Sequence, residues 1–93
     1  MDIGTAIKTL RKEKGYSQKE LAEKSGISVN TLCQIEINSS TPQKTSIKKI
    51  CDALEIPVSY LLFFSITEED IPDEKKKIFQ SLNGLLKELL LDK

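Results

Sequence analysis

The stretch from Ser17 to Glu36, SQKELAEKSGISVNTLCQIE, constrains this chain more than any other. It divides into two short amphipathic segments around Ser25-Gly26-Ile27. Ser17 has the hydroxyl of a helix N-cap, and Glu20 follows three residues on, which is the spacing of a capping box. Leu21 and Ala22 then point inward, while Lys19, Glu23 and Lys24 point outward. Gly26 ends the segment in the left-handed conformation that glycine reaches without steric cost. Ser28 is a second N-cap, and Leu32 and Ile35 form the inner stripe of a helix that continues to about Ile37. Two short helices in this order, the second with polar residues on its outer face, make a helix-turn-helix. In that motif the second helix lies in the major groove of DNA.

The rest of the chain reads as helices around this pair. Ile3, Ala6, Ile7 and Leu10 recur at helical spacing and predict a helix over 3–14, stopped by Gly15. Asn38-Ser39-Ser40-Thr41-Pro42 is a polar loop, with Asn38 as a left-handed C-cap. A fourth helix is expected over about 45–54, with Ile47, Ile50, Cys51 and Leu54 inward. Pro57 suits the first turn of a fifth helix that buries Val58, Leu61 and Leu62. Ser65 to Ile71 is an acidic connector, and Pro72 opens a last helix. The expected fold is all-α: a five-helix bundle plus a C-terminal helix. Its expected units are a helix-turn-helix domain over 1–66 and a connector with amphipathic helix over 67–93.

Composition narrows the function classes. At 93 residues the core is modest, so a further stabiliser such as a dimer contact is expected. The chain has no histidine, which removes histidine acid/base or triad chemistry. With two cysteines, Cys33 and Cys51, on different helices, neither a metal site nor a disulfide is expected. There is no glycine-rich phosphate loop, so an enzyme is not expected and no cofactor is implied. No apolar run approaches the ~20 residues of a membrane span. The start of the chain has no basic segment followed by an apolar run. A cytoplasmic protein with reduced thiols is the expectation.

The formal charge is zero, which on its face argues against nucleic acid. The distribution argues for it. Through Cys51, nine basic residues stand against five acidic ones, and from Asp52 onward five stand against nine. The first part carries +4 and can meet phosphate; the second carries −4 and keeps itself off DNA.

Arg11-Lys12-Glu13-Lys14-Gly15-Tyr16-Ser17-Gln18, Glu20-Leu21-Ala22, Gly26-Ile27-Ser28 and Leu32-x-x-Ile35-Glu36 together resemble the Xre family, the lambda-repressor-like regulators of phages and bacteria. The resemblance continues through Pro42, Ile47, Ile50, Leu54, Pro57 and Leu61, and covers roughly residues 3 to 65. It implies a five-helix bundle that binds operator DNA as a dimer. Carried onto this chain, it places Val29, Asn30 and Gln34 against base edges. It places Gln18, Ser28, Thr31, Asn38, Ser39, Ser40 and Thr41 near the DNA backbone, with Gln18 also bracing the third helix; Lys44, which the family does not supply, adds a cation near that backbone. It implies an ion pair between Arg11 and Glu36, tying the recognition helix to the first helix. The chain departs from the family at Ile37, where a polar or basic residue is common, and at Lys44, where an apolar one is usual.

Elementary chemistry supports the base-reading assignment independently. Positions 30 and 34 are one turn apart and share a helix face. Both are amides, able to bond adenine N6 and N7 in pairs, and Val29 has the surface to pack on a thymine methyl. The bland alternative is solvated surface; the helix-turn-helix setting favours the groove. For the helix-four lysines, phosphate contacts and an ordinary solvated face are two readings of equal weight. Cys33, beside the reading face, is a small polarisable spacer or a DNA contact.

Beyond Ser65 the resemblance ends. Ile78, Phe79, Leu82, Leu85, Leu86, Leu89 and Leu90 follow three-four spacing, an apolar stripe that water cannot face. Dimerisation is the favoured use, and folding back across helices one and five is the rival. About 28 residues after the bundle cannot enclose an ordinary ligand pocket. Two functional classes remain. One is a sequence-specific transcriptional regulator, a repressor, acting on double-stranded operator DNA as a homodimer. The other is a protein-interaction module such as the antitoxin of a toxin–antitoxin pair, its apolar tail masking a toxin partner.

Overall fold

Side-chain caps decide where the first three helices begin. In the computed structural model, which describes residues 2–91 without the side chains at 68, 86, 87 and 89–91, Asp2 Oδ1 accepts from Thr5 N at 3.0 Å and opens α1 (Ile3–Glu13). Ser17 Oγ accepts from Glu20 N at 3.0 Å, and Glu20 returns a carboxylate oxygen to Ser17 N at 2.9 Å. This reciprocal box satisfies two of the amides that a helix start leaves open, and α2 (Gln18–Ser25) follows it. Ser28 Oγ does the same for Thr31 N at 3.0 Å and opens α3 (Val29–Glu36). The ends are as firmly set: Gly26 after α2 has φ +70°, and Asn38, two residues past α3, has φ +61°.

The remaining elements are α4 (Lys44–Leu54), α5 (Val58–Ser65) and α6 (Lys76–Leu91), with single 3-10 turns at Glu68–Asp70 and Asp73–Lys75 before α6. No strand occurs among the described residues. Helix α2 packs on α4 and α3, and α1 packs on α5 and α3. The core is one cluster of Ala6, Ile7 and Leu10 from α1, Leu21 and Ala22 from α2, and Leu32 and Ile35 from α3. Ile50, Cys51 and Leu54 from α4 and Tyr60 and Leu61 from α5 complete it. Each set recurs at three-four spacing, so burying it decides which face of its helix turns inward. No helix among the described residues is long and apolar enough to cross a membrane.

Three local features differ from the sequence expectation. Helix α4 starts at Lys44, one residue earlier than read, and its N-cap Gln43 makes no side-chain cap bond. With a cation in the first turn, its start lacks both the usual signal and the favoured charge; packing of its inner face sets it instead. In α5 it is Tyr60 and Leu61 that are buried, whereas Leu62 is exposed and Val58 half-buried. Successive helix residues are turned by about 100°, so a face directed at both α1 and α4 excludes the leucine after Leu61. Third, the last helix opens as a 3-10 turn after Pro72 and becomes α-helical at Lys76.

Cys51 is only 1% exposed, and burial pushes its thiol up to about 11. Cys33 is partly exposed. At pH 7.5 an alkylating reagent is expected to label Cys33 rapidly and Cys51 only at the rate of unfolding, since the thiolate is the reactive form. Mass spectrometry of a labelling time course checks this.

Candidate nucleic-acid interface

The orientation of α3 is set by a buried charge cluster. Arg11, in the last turn of α1, donates from Nε to Glu36 Oε2 at 2.8 Å and from an Nη to Glu36 Oε1 at 3.1 Å. Such a two-bond fork fixes angle as well as distance. The arginine's other Nη donates to Tyr16 O at 2.9 Å, and Gln18 Nε2 donates to Glu36 Oε1 at 3.0 Å. The two charged side chains are 9% and 1% exposed. One carboxylate at the end of α3 is thus held by α1 and by the first residue of α2. Arg11 is buried in the last turn of α1, and its guanidinium reaches past the helix end to Tyr16 O.

With the inner face so anchored, the outer face is determined. Val29, Asn30, Thr31 and Gln34 are all exposed. Ser28 Oγ donates to Thr31 Oγ1 at 2.7 Å while accepting Thr31 N, so both faces of the Ser28 hydroxyl are engaged locally. The Thr31 hydroxyl keeps its own proton for an outside acceptor such as a phosphate oxygen. Gln18 is half-buried, with its amide on Glu36, which places it as a brace of α3.

The loop after α3 divides. Ser39, Ser40 and Thr41 are exposed, and Ser39 Oγ donates to Gln34 O at 3.3 Å. Asn38 is also exposed, yet its side chain is committed inside the protein: Oδ1 accepts from Gly4 N at 3.2 Å and Nδ2 donates to Asp2 Oδ1 at 2.8 Å. Lys44 is exposed at the first residue of α4. Farther along that helix Lys48 is paired with Asp52 at 2.7 Å. Lys24 lies over the Tyr16 ring, 5.2 Å from its centroid. Those two cations are therefore engaged within the protein.

Of the residues assigned to dimerisation, Ile78, Leu82 and Leu85 are 63%, 51% and 58% exposed. Phe79 is half-buried and packs on Phe63 of α5 with ring centroids 5.9 Å apart, so α6 touches the bundle near its start. The side chains of Leu86, Leu89 and Leu90 lie outside the described residues.

Sequence reasoning missed three participants. Asp2 caps α1 and meets Asn38; its position three before Thr5 is an N-cap signal that could have been read. Gly4 sits where α1 crosses the end of α3, and nothing in its neighbours announces that. Ile37, treated only as a lost polar contact, is 65% exposed at the end of α3 and lies on the same helix side as Asn30, seven residues before it.

The bundle and its exposed helix define a helix-turn-helix domain. The chain belongs to the helix-turn-helix family HTH_3, an Xre-like group, whose model matches residues 7–61. It is similar to the HTH-type transcriptional regulator SinR of Bacillus subtilis, 46% identical over 61 residues that make up 64% of this chain and 55% of SinR. It is also similar to the immunity repressor protein of Bacillus phage phi105, 32% identical over 81 residues, 87% of this chain and 54% of that one. Among solved structures, a chain of the SinR protein/SinI protein complex superposes with a TM-score of 0.65 at 34% identity. That match covers 95% of this chain and 90% of the other. This chain spans about half the length of these two curated relatives.

Removing Arg11 leaves the Glu36 carboxylate buried with Gln18 as its remaining side-chain donor. Arg11→Ala is expected to lower unfolding free energy by about 3–5 kcal/mol in urea titration. Arg11→Lys falls between, since an ammonium lacks the fork. An Arg11→Ala chain that unfolds with wild-type stability yet binds DNA less well would make Arg11 a DNA contact and remove the ion pair from its structural role.

Proposed function

We propose that this chain is a sequence-specific DNA-binding transcriptional regulator, a repressor that acts by covering promoter DNA and reads the major groove as a dimer. The observation that carries this reading is the exposed Val29–Asn30–Gln34 face of α3, on a helix clamped by Arg11, Glu36 and Gln18. Membership of the helix-turn-helix family and likeness to proteins named as regulator and repressor support it.

In this mechanism, Asn30 and Gln34 each offer one donor and one acceptor to an adenine edge, and Val29 lies against a thymine methyl. Thr31, Ser40, Thr41 and Lys44 hold register through phosphates, which carry most of the affinity but no sequence information, whereas Ser39 has both its hydroxyl and its backbone N–H on Gln34 O. The N-terminus of α3 adds its partial positive charge. Binding needs no cofactor and falls steeply with salt, as counterions are released. The acidic second half of the chain stays off the duplex.

Asn30→Ala combined with Gln34→Ala is expected to weaken binding to a selected duplex by at least about 30-fold while changing non-specific binding little, at ~1–3 kcal/mol for each of the two lost bidentate contacts. Fluorescence anisotropy on both duplexes checks this, and equal loss on the two would sink the base-reading role.

Two recognition helices reach successive major grooves only when tethered at about 34 Å, one helical turn. The exposed stripe of Ile78, Leu82 and Leu85 on α6 is the surface proposed to make that tether between two copies. In sedimentation equilibrium the full chain should be dimeric and a chain ending at Ile66 monomeric. A truncated chain that stays dimeric overturns the assignment. A full chain that is monomeric alone and co-purifies with a toxin-like partner transfers the α6 face to that partner.

A further inference from the structure

The recognition helix is tied down twice at its C-terminal end, and the two ties differ. Glu36 holds its last turn from within. Two residues further on, the polar loop is gripped from outside the motif, by the residues that open α1. Asn38 sits at φ +61°, a conformation asparagine tolerates better than most residues. Its amide oxygen accepts from Gly4 N at 3.2 Å, and its amide nitrogen donates to Asp2 Oδ1 at 2.8 Å. Asp2 Oδ1 also accepts from Thr5 N at 3.0 Å, and Asp2 N donates to Ser65 O at 2.8 Å. The chain of bonds therefore runs from the end of α5, through Asp2, to the turn that follows α3.

Gly4 makes this contact sterically available. A Cβ there would stand 2.3 Å from Ile35 O and 2.5 Å from Asn38 Oδ1. No larger residue allows α1 and the end of α3 to approach so closely without one of them shifting.

We propose that Asp2, Gly4 and Asn38 form a clasp that positions the phosphate-facing turn 39–41, and that Asn38 acts through this clasp instead of bonding to DNA itself. Three observations carry the idea. Asn38 commits both ends of its amide to α1 and to the residue that caps it. Its backbone conformation is the one that turns the chain out of α3 into the exposed serines. Asp2 is fixed in turn by two helices that do not belong to the helix-turn-helix. The inference rests on the DNA-binding reading above. Within it, the clasp converts the exposed loop from a flexible segment into a set of donors whose ordering cost has been met before DNA arrives.

The clasp predicts a pattern of equivalence between positions far apart in sequence. Asn38→Gly keeps the left-handed backbone and removes the amide. Asp2→Ala removes the partner oxygen, whereas Asp2→Asn keeps an oxygen for Asn38 and for the α1 cap while discarding the charge. Anisotropy on a duplex selected with the wild-type chain, and on a non-specific duplex, is the measurement, made at a temperature where circular dichroism shows every variant folded. Asn38→Gly and Asp2→Ala should each weaken both duplexes alike by about fivefold, the scale of one net hydrogen bond. The double variant should lose little more than either single change. Asp2→Asn should bind at least as well as wild type.

Additive losses for the double variant, or wild-type binding by both single variants, would overturn the clasp while leaving the DNA-binding reading intact. Additivity specifically returns Asn38 to a direct contact. A wild-type chain that binds no duplex in the selection overturns both.

Discussion

A single buried carboxylate, Glu36, organises the DNA-facing half of this molecule. It receives two bonds from Arg11 and one from Gln18, so three separate helices converge on one side chain. Paired burial of charge is a poor source of net stability, because desolvation opposes the attraction. Its value lies in direction. Apolar contacts among Leu21, Leu32 and Ile35 fill space but tolerate small rotations, whereas a forked ion pair does not. The rotation of α3 about its own axis decides whether Asn30 and Gln34 face outward together. That rotation is where the ion pair acts.

The rest of the interface is built outward from that constraint by local bonds. Ser28 starts α3 and is thereby occupied, which leaves the neighbouring Thr31 hydroxyl as the free donor. Asn38 ends the turn after α3 with its amide engaged by Asp2 and Gly4. At each end of the recognition helix, one polar residue serves the fold and its neighbours are left to face the solvent. The uneven charge along the chain repeats this division on a larger scale, with a basic helix-turn-helix half and an acidic second half.

Much of this was legible because it is encoded locally. The caps at Ser17 and Ser28, the glycine at 26 and the three-four spacing of the apolar residues depend on neighbours within four positions. The sequence therefore marks α1, α2 and α3 to within a residue or two at their ends. Where local signals were weak, the reading slipped. Helix α4 has no capping side chain and a lysine in its first turn, so its start is set by packing. In α5 the run Val58 to Phe64 is apolar almost throughout, apart from Ser59, and pattern alone does not choose Leu61 over Leu62 for the core. The resemblance to a known family carried the pairing of Arg11 with Glu36, since nothing local to either residue names the other across a separation of 25 positions.

By itself, the sequence determined that this is an all-helical chain with two short capped helices in succession, an amide-bearing outer face and a charge imbalance between its halves. Those properties follow from periodicity, capping chemistry and counting. Tertiary structure decided the rest. It brought Gly4 against the end of α3, gave Asn38 its partners in α1, turned Leu62 to solvent and left the Ile37 side chain exposed beside the reading face. Each of these depends on how one helix lies across another. Residues distant along the chain specify that crossing jointly, through close packing and buried bonds that no local segment contains.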